Sequence, residues 1–143
     1  MTIAVKRPQG RGILRRLGTL LAASGLMIVG APAPAQAATN PYTPQGVCGS
    51  GYYVQRSHAL TGATVYQLYN GRYNCVVTMK TASIGRPTKI TAGLQVKKSS
   101  WAYETGKFAY YAGPIKQYGA GKCVRFFGYH RGTSHTSRWG NCG

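Results

Sequence analysis

The sequence predicts an all-β domain, a small antiparallel β-sandwich or barrel of about seven or eight short strands with two disulfides. Three observations lead there. Apolar and polar residues alternate at a period of two along the chain after residue 50, and no helical run of ten residues is evident. Twenty glycines and seven prolines among 143 residues punctuate those alternating runs. The cysteines number four, an even count, and all follow an export-type leader.

The leader occupies residues 1–37. Lys6, Arg7, Arg11, Arg15 and Arg16 precede an apolar run over 17–30, and Ala35-Gln36-Ala37 supplies the small residues of a signal-peptidase site. The apolar run, 14 residues long, falls short of the roughly 20 needed to span a bilayer, so cleavage and secretion are expected rather than anchoring. The paired arginines leave general and twin-arginine export both open. Removal of 1–37 takes away five of the 18 basic side chains and leaves thirteen Lys and Arg against one Glu, a net charge of +12. Residues 38–46, with Pro41 and Pro44, read as an extended N-terminal arm, and 47–143 as a single disulfide-bonded β domain.

Within that domain two Val-, Tyr- and Thr-rich runs, 64–69 and 73–79, flank Asn70-Gly71, a dipeptide suited to a type I′ hairpin turn. A two-residue loop at that dipeptide pairs Tyr66 with Cys75, Leu68 with Tyr73 and Val65 with Val76, and sets Cys75 on the Tyr66 and Leu68 face. Over 89–97, Ile90, Ala92, Leu94 and Val96 point one way, and Lys89, Thr91, Gln95 and Lys97 the other, so one face is core and one is wet. Further strands are expected near 52–56, 107–111, 115–118, 123–127 and 136–139. The favoured disulfides are Cys48 with Cys75 and Cys123 with Cys142, because each closes a local loop, and loop entropy makes each worth about 3 to 4 kcal/mol. The crossed pairings stay open.

Aspartate is absent and Glu104 is the sole side-chain carboxylate, which excludes paired-carboxylate glycoside hydrolysis, acidic Ca²⁺ or Mg²⁺ cages and an Asp-oriented serine triad. The cysteines show no CxxC spacing, so neither a metal nor another cofactor is expected.

Cys48-Gly49-Ser50-Gly51-Tyr52, Thr64-Val65-Tyr66 with Tyr69-Asn70, Asn74-Cys75-Val76-Val77-Thr78, Tyr111-Ala112-Gly113-Pro114, Gly121-Lys122-Cys123-Val124 and the closing Cys142-Gly143 resemble, in order, the spore-associated protein A family of Streptomyces. The resemblance implies a small exported protein linked to spores and aerial growth, and it brings no catalytic residues or defined molecular activity with it. The chain departs from the family pattern in its tight Asn70-Gly71 turn, in Arg125-Phe126-Phe127 after Cys-Val, and in its stronger positive charge.

That charge is the leading functional signal, since a domain of +12 attracts polyanions. Lys89, Lys97, Lys98, Arg125 and Arg131 are the expected polyanion-binding residues. Trp101, Tyr103 and Trp139, with Tyr110 and Tyr129, are the aromatics interleaved with them. The expectation is a non-enzymatic spore- or cell-surface protein, extracellular, held to anionic wall or spore-surface polymer. Nucleic acid is a non-specific alternative partner, and solvated strand edges with core-filling aromatics are the bland alternative. Two other function classes compete. A protease or amylase inhibitor would present Trp101 and Tyr103 on a loop over 99–107. A cationic ribonuclease would use His130, His135 and Glu104 for proton transfer, although Glu104 reads as a turn residue.

Overall fold

In a computed structural model the described residues are 25, 29–34 and 36–143. The expected leader over 1–37 lies largely outside them, as does Ala35 of its cleavage site. Eight strands form two four-stranded antiparallel sheets. The first sheet holds β1 (Tyr53–Leu60), β2 (Ala63–Tyr69), β3 (Tyr73–Lys80) and β6 (Tyr111–Tyr118) in the order β1-β2-β3-β6. The second holds β4 (Thr88–Val96), β5 (Ala102–Phe108), β7 (Val124–His130) and β8 (Thr133–Thr136) in the order β5-β4-β7-β8. Sandwich, not barrel, is therefore the architecture.

The period-two pattern sets what lies between the sheets. On β4, Ile90, Ala92, Leu94 and Val96 point inward and are buried, as their alternation predicts. They meet Leu60, Val65, Val76, Val124 and Phe126 in one apolar cluster. Strand β3 is buried on both faces: Val76 joins that cluster, while Cys75, Val77 and Met79 form a second one with Cys48 and Leu68. A single helical turn, α1 (Pro44–Cys48), covers this outer cluster. Its entry is capped by Thr43, whose Oγ1 accepts from Gly46 N at 3.0 Å, with Pro44 in the first turn. The segment 38–46, expected as an extended arm, thus becomes helical from Pro44. It is also tied down, since Asn40 Nδ2 donates to Lys80 O and Tyr110 O.

Both favoured disulfides form, Cys48–Cys75 and Cys123–Cys142. The first fastens α1 to β3. The second holds the chain end to the start of β7.

The hairpin between β2 and β3 exists, but its register differs from the expected one. Leu68 faces Cys75, Tyr66 faces Val77 and Val65 faces Thr78. The turn residues are Gly71 and Arg72, with Asn70 N donating to Tyr73 O and Asn70 Oδ1 accepting from the amides of Arg72 and Tyr73. Asn70 prefers to cap the turn with its side chain, and only Gly71 takes a positive φ (95°), so the type I′ requirement of two such residues is not met. Sliding the turn by one residue moves each partner by two, which leaves Cys75 on the Tyr66 and Leu68 face.

Three strand boundaries are also corrected. The run 107–111 is the end of β5, a turn at Ala109 and Tyr110, and the start of β6, because its apolar residues belong to two strands in different sheets. Strand β8 lies at Thr133–Thr136 rather than at 136–139; Ser137 Oγ instead accepts from Phe126 N and Gly140 pairs with Val124. Strand β1 runs on to Leu60.

Candidate functional site

The outward face of the β5-β4-β7-β8 sheet carries the residues that the inward alternation leaves over. Lys89, Thr91, Gly93 and Gln95 project from β4, Tyr103, Thr105 and Lys107 from β5, and Arg125, Phe127 and Tyr129 from β7, aligned by the register Thr91↔Thr105, Gly93↔Tyr103, Gly93↔Phe127 and Gln95↔Arg125. Four of the eight expected contact residues meet at one end of this face. The Arg125 guanidinium lies 5.0 Å from the Trp101 ring and 4.7 Å from the Trp139 ring, while its Nε donates to Gln95 Oε1 at 2.7 Å. Trp101 stacks on Tyr103 at 5.2 Å, and Tyr103 meets the edge of Phe127 at 5.8 Å. At the other end Lys89 Nζ sits 5.6 Å from the Tyr129 ring. Between them Lys89, Thr91, Tyr103, Thr105, Phe127 and Tyr129 line a concavity of about 430 Å³.

Glycine makes this arrangement possible. A Cβ at Gly93 would stand 2.5 Å from Tyr103 Cδ1 and 3.2 Å from Phe127 Cβ, so the Tyr103 ring lies over the strand only because position 93 has no side chain. Tyr103 and Trp139 remain 52% and 39% exposed, which separates them from the core aromatic Phe126 at 2%.

Lys97, Lys98 and Arg131 are not part of this cluster. Lys97 and Lys98 lie in the turn after β4, where with Lys122, Gln117 and Tyr118 they line a separate cleft of about 530 Å³. Arg131 lies in the β7–β8 turn and donates to Ser83 Oγ. Sequence reasoning missed Gly93, Phe127, Lys107 and Lys122. Gly93 and Phe127 were readable as outward members of expected strands, whereas Lys107 needed the pairing of β5 with β4, and Lys122 lies in the β6–β7 turn just before Cys123.

The segment 99–107, expected to be an inhibitory loop, is mostly strand β5, because it pairs with β4 from Leu94↔Ala102 to Thr88↔Phe108, which puts Tyr103, Thr105 and Lys107 on one face and Glu104 and Gly106 on the other. Glu104 is accordingly a strand residue rather than a turn residue. It faces inward toward β6, and its Oε1 accepts from Gly113 N at 3.0 Å. His130 is fully buried; Nδ1 donates to Thr61 O at 2.7 Å and Nε2 meets Thr88 Oγ1 at 3.0 Å. Burial pushes its pKa down, the Thr61 hydrogen bond opposes this, and the nearby Lys80 and Arg131 charges add to the depression. His135 stacks on His58 at 3.6 Å, and burial followed by the His58 charge lowers its pKa. Glu104 and His135 occupy opposite edge strands of one sheet, three strand spacings or roughly 14 Å apart, too far to share a proton-transfer task. Among the described residues no three metal-ligating side chains cluster, and all four cysteines are in disulfides.

No family model matches the chain, and no solved structure matches it. Among curated proteins it is 32% identical over 124 residues to Spore-associated protein A of Streptomyces coelicolor, an alignment covering 84% of this chain and 80% of that protein.

Proposed function

Since the chain belongs to the spore-associated protein A family, we propose that it is an exported, non-enzymatic component of the spore or cell exterior, held to anionic surface polymer by its positive charge. One observation carries the reading. Lys89 and Arg125 share a sheet face with Trp101, Tyr103 and Trp139, while Glu104, the sole carboxylate side chain, turns inward toward β6. Cations on that face therefore have no internal counter-charge, and Lys97, Lys98 and Lys122 extend the positive field around the neighbouring turn. The separation of Glu104 from His135, together with the engagement of both nitrogens of buried His130, supports the non-enzymatic part. The two disulfides suit an oxidising exterior.

Retention on immobilised heparin or isolated anionic wall polymer tests this. Elution by salt alone is expected, without detergent, because counterion release drives such binding and exposed charges are screened beyond about 8 Å at physiological ionic strength. Changing Lys97, Lys98 and Arg125 together to Gln weakens retention. Salt-insensitive retention, or RNA cleavage abolished by His135→Asn, would overturn the reading.

A further inference from the structure

We propose that the concavity walled by Tyr103, Phe127 and Tyr129 is a subsite for an acidic sugar ring, so that the polymer taken by this face is an anionic polysaccharide. The inference rests on the polyanion reading above and names the ligand class.

The wall is aromatic on the solvent side of the sheet, with Tyr103 half exposed and Phe127 and Tyr129 only partly buried. Gly93 makes room for the Tyr103 ring, which is held between the Trp101 stack and the Phe127 edge. Such a surface suits the C–H face of a saturated ring. Thr105, exposed and with its hydroxyl 2.7 Å from that of the buried Thr91, stands beside it as a group able to donate to or accept from a sugar hydroxyl. The volume, about 430 Å³, is within the roughly 300 to 1,000 Å³ usual for small-ligand sites.

The acidic character follows from charge. Lys89 lines the concavity and is paired in register with Lys107 on β5. Like charges directly opposite each other destabilise a sheet. Glu104 lies on the other side of the strand and is hydrogen-bonded to Gly113, so it does not offset them. A carboxylate or sulfate on the sugar does. An oligonucleotide, whose charge lies on its phosphates rather than on the stacking ring, is the competing occupant that the test includes.

The test titrates the purified protein with a short oligogalacturonate, a neutral cello-oligosaccharide, polyphosphate and oligo(dT). The oligogalacturonate is expected to bind most tightly and the neutral sugar at least tenfold more weakly. Tyr103→Ala and Lys89→Gln should each weaken oligogalacturonate binding about tenfold, equivalent to about 1.4 kcal/mol, and Tyr103→Phe should restore it because the ring makes the contact. The double change Lys97→Gln with Lys98→Gln should cost less than either. Thermal unfolding of each variant checks that the fold is kept, and the fluorescence change of Trp101 and Trp139, both on this face, reports binding there independently. If polyphosphate or oligo(dT) binds more tightly than the uronate, or Tyr103→Ala leaves uronate binding unchanged, the sugar subsite is wrong while polyanion adhesion stands. If none of the three polyanions binds, adhesion itself is wrong.

Discussion

Two glycines illustrate how one residue type does different work on the two faces of a sheet. A Cβ at Gly93 would strike the Tyr103 ring, which is half exposed and can lift toward solvent by giving up its stack on Trp101. Gly93→Ala should therefore cost about 1 kcal/mol or less in stability, while the lost stack on Trp101 shows as a fluorescence change. At Gly128 the added Cβ would meet Val65 Cβ at 2.6 Å and Leu60 Cδ1 at 3.1 Å, both in the buried inter-sheet layer. Gly128→Ala should cost about 1 to 3 kcal/mol by urea unfolding, because overpacking there displaces the opposite sheet.

Histidines set the acid side of stability at the same scale. The folded-state pKa values of His130 and His135 lie below the ordinary 6.5, so as pH falls the unfolded chain takes up protons first. Their contribution is full above pH 6.5 and is lost as pH drops through 6.5 and the lower folded values. The urea midpoint should fall between pH 7 and pH 5, and His135→Phe should flatten that slope. An unchanged slope in His135→Phe would assign the effect to His130 alone.

At the scale of elements, the two sheets are joined by a few specific ties. Arg56, on edge strand β1, donates through Nε to the buried Gln67 and through its terminal nitrogens to Val124 O and Arg138 O of the opposite sheet's chain segment. Gln67 in turn donates to Asn74 at 2.7 Å, which also accepts from Asn141. Arg56→Ala should cost about 1 to 3 kcal/mol, since it leaves the buried Gln67 oxygen without its donor, while Val124 O keeps Gly140 N and Arg138 O keeps Ser137 Oγ. The Cys48–Cys75 bond acts on a different element. Its 27-residue separation makes removal of the bridge worth about 3 to 4 kcal/mol in the loop-entropy account. Replacing both cysteines by Ala should lower the melting temperature and expose the segment before β1 to limited proteolysis, because α1 then keeps only its single turn, its apolar contacts and the Asn40 and Tyr42 contacts just upstream.

For the whole molecule, charge and compartment are one problem. A domain with thirteen cations and one carboxylate side chain repels itself, and two disulfides offset that repulsion by constraining the unfolded chain. Protein extracted from spore or mycelial surfaces should have an intact mass beginning at Ala38 and no free thiol before reduction. A product retaining 1–37 would contradict export by cleavage. Non-reducing peptide mapping should recover Cys48 with Cys75 and Cys123 with Cys142.

Much of this was legible in the residues alone. Alternation on β4 assigned Ile90, Ala92, Leu94 and Val96 to the core, because a strand's side chains must point to opposite faces whatever its neighbours are. The all-β class followed from the same alternation, and loop length favoured the two local disulfides over the crossed pairings without deciding between them. Hairpin register was not legible: Asn70 and Gly71 suit several turns, and the choice fell to the hydrogen bonds of Asn70 with its neighbours. The Ser99–Lys107 stretch read as a loop because its outward aromatics and inward Glu104 and Gly106 obscure the strand pattern, and only pairing with β4 makes it one. The gathering of Arg125 between Trp101 and Trp139 lay furthest from the sequence. These residues come from β7 and from segments beside β5 and β8, and no local rule states which strands will be neighbours until the burial of both sheets decides it.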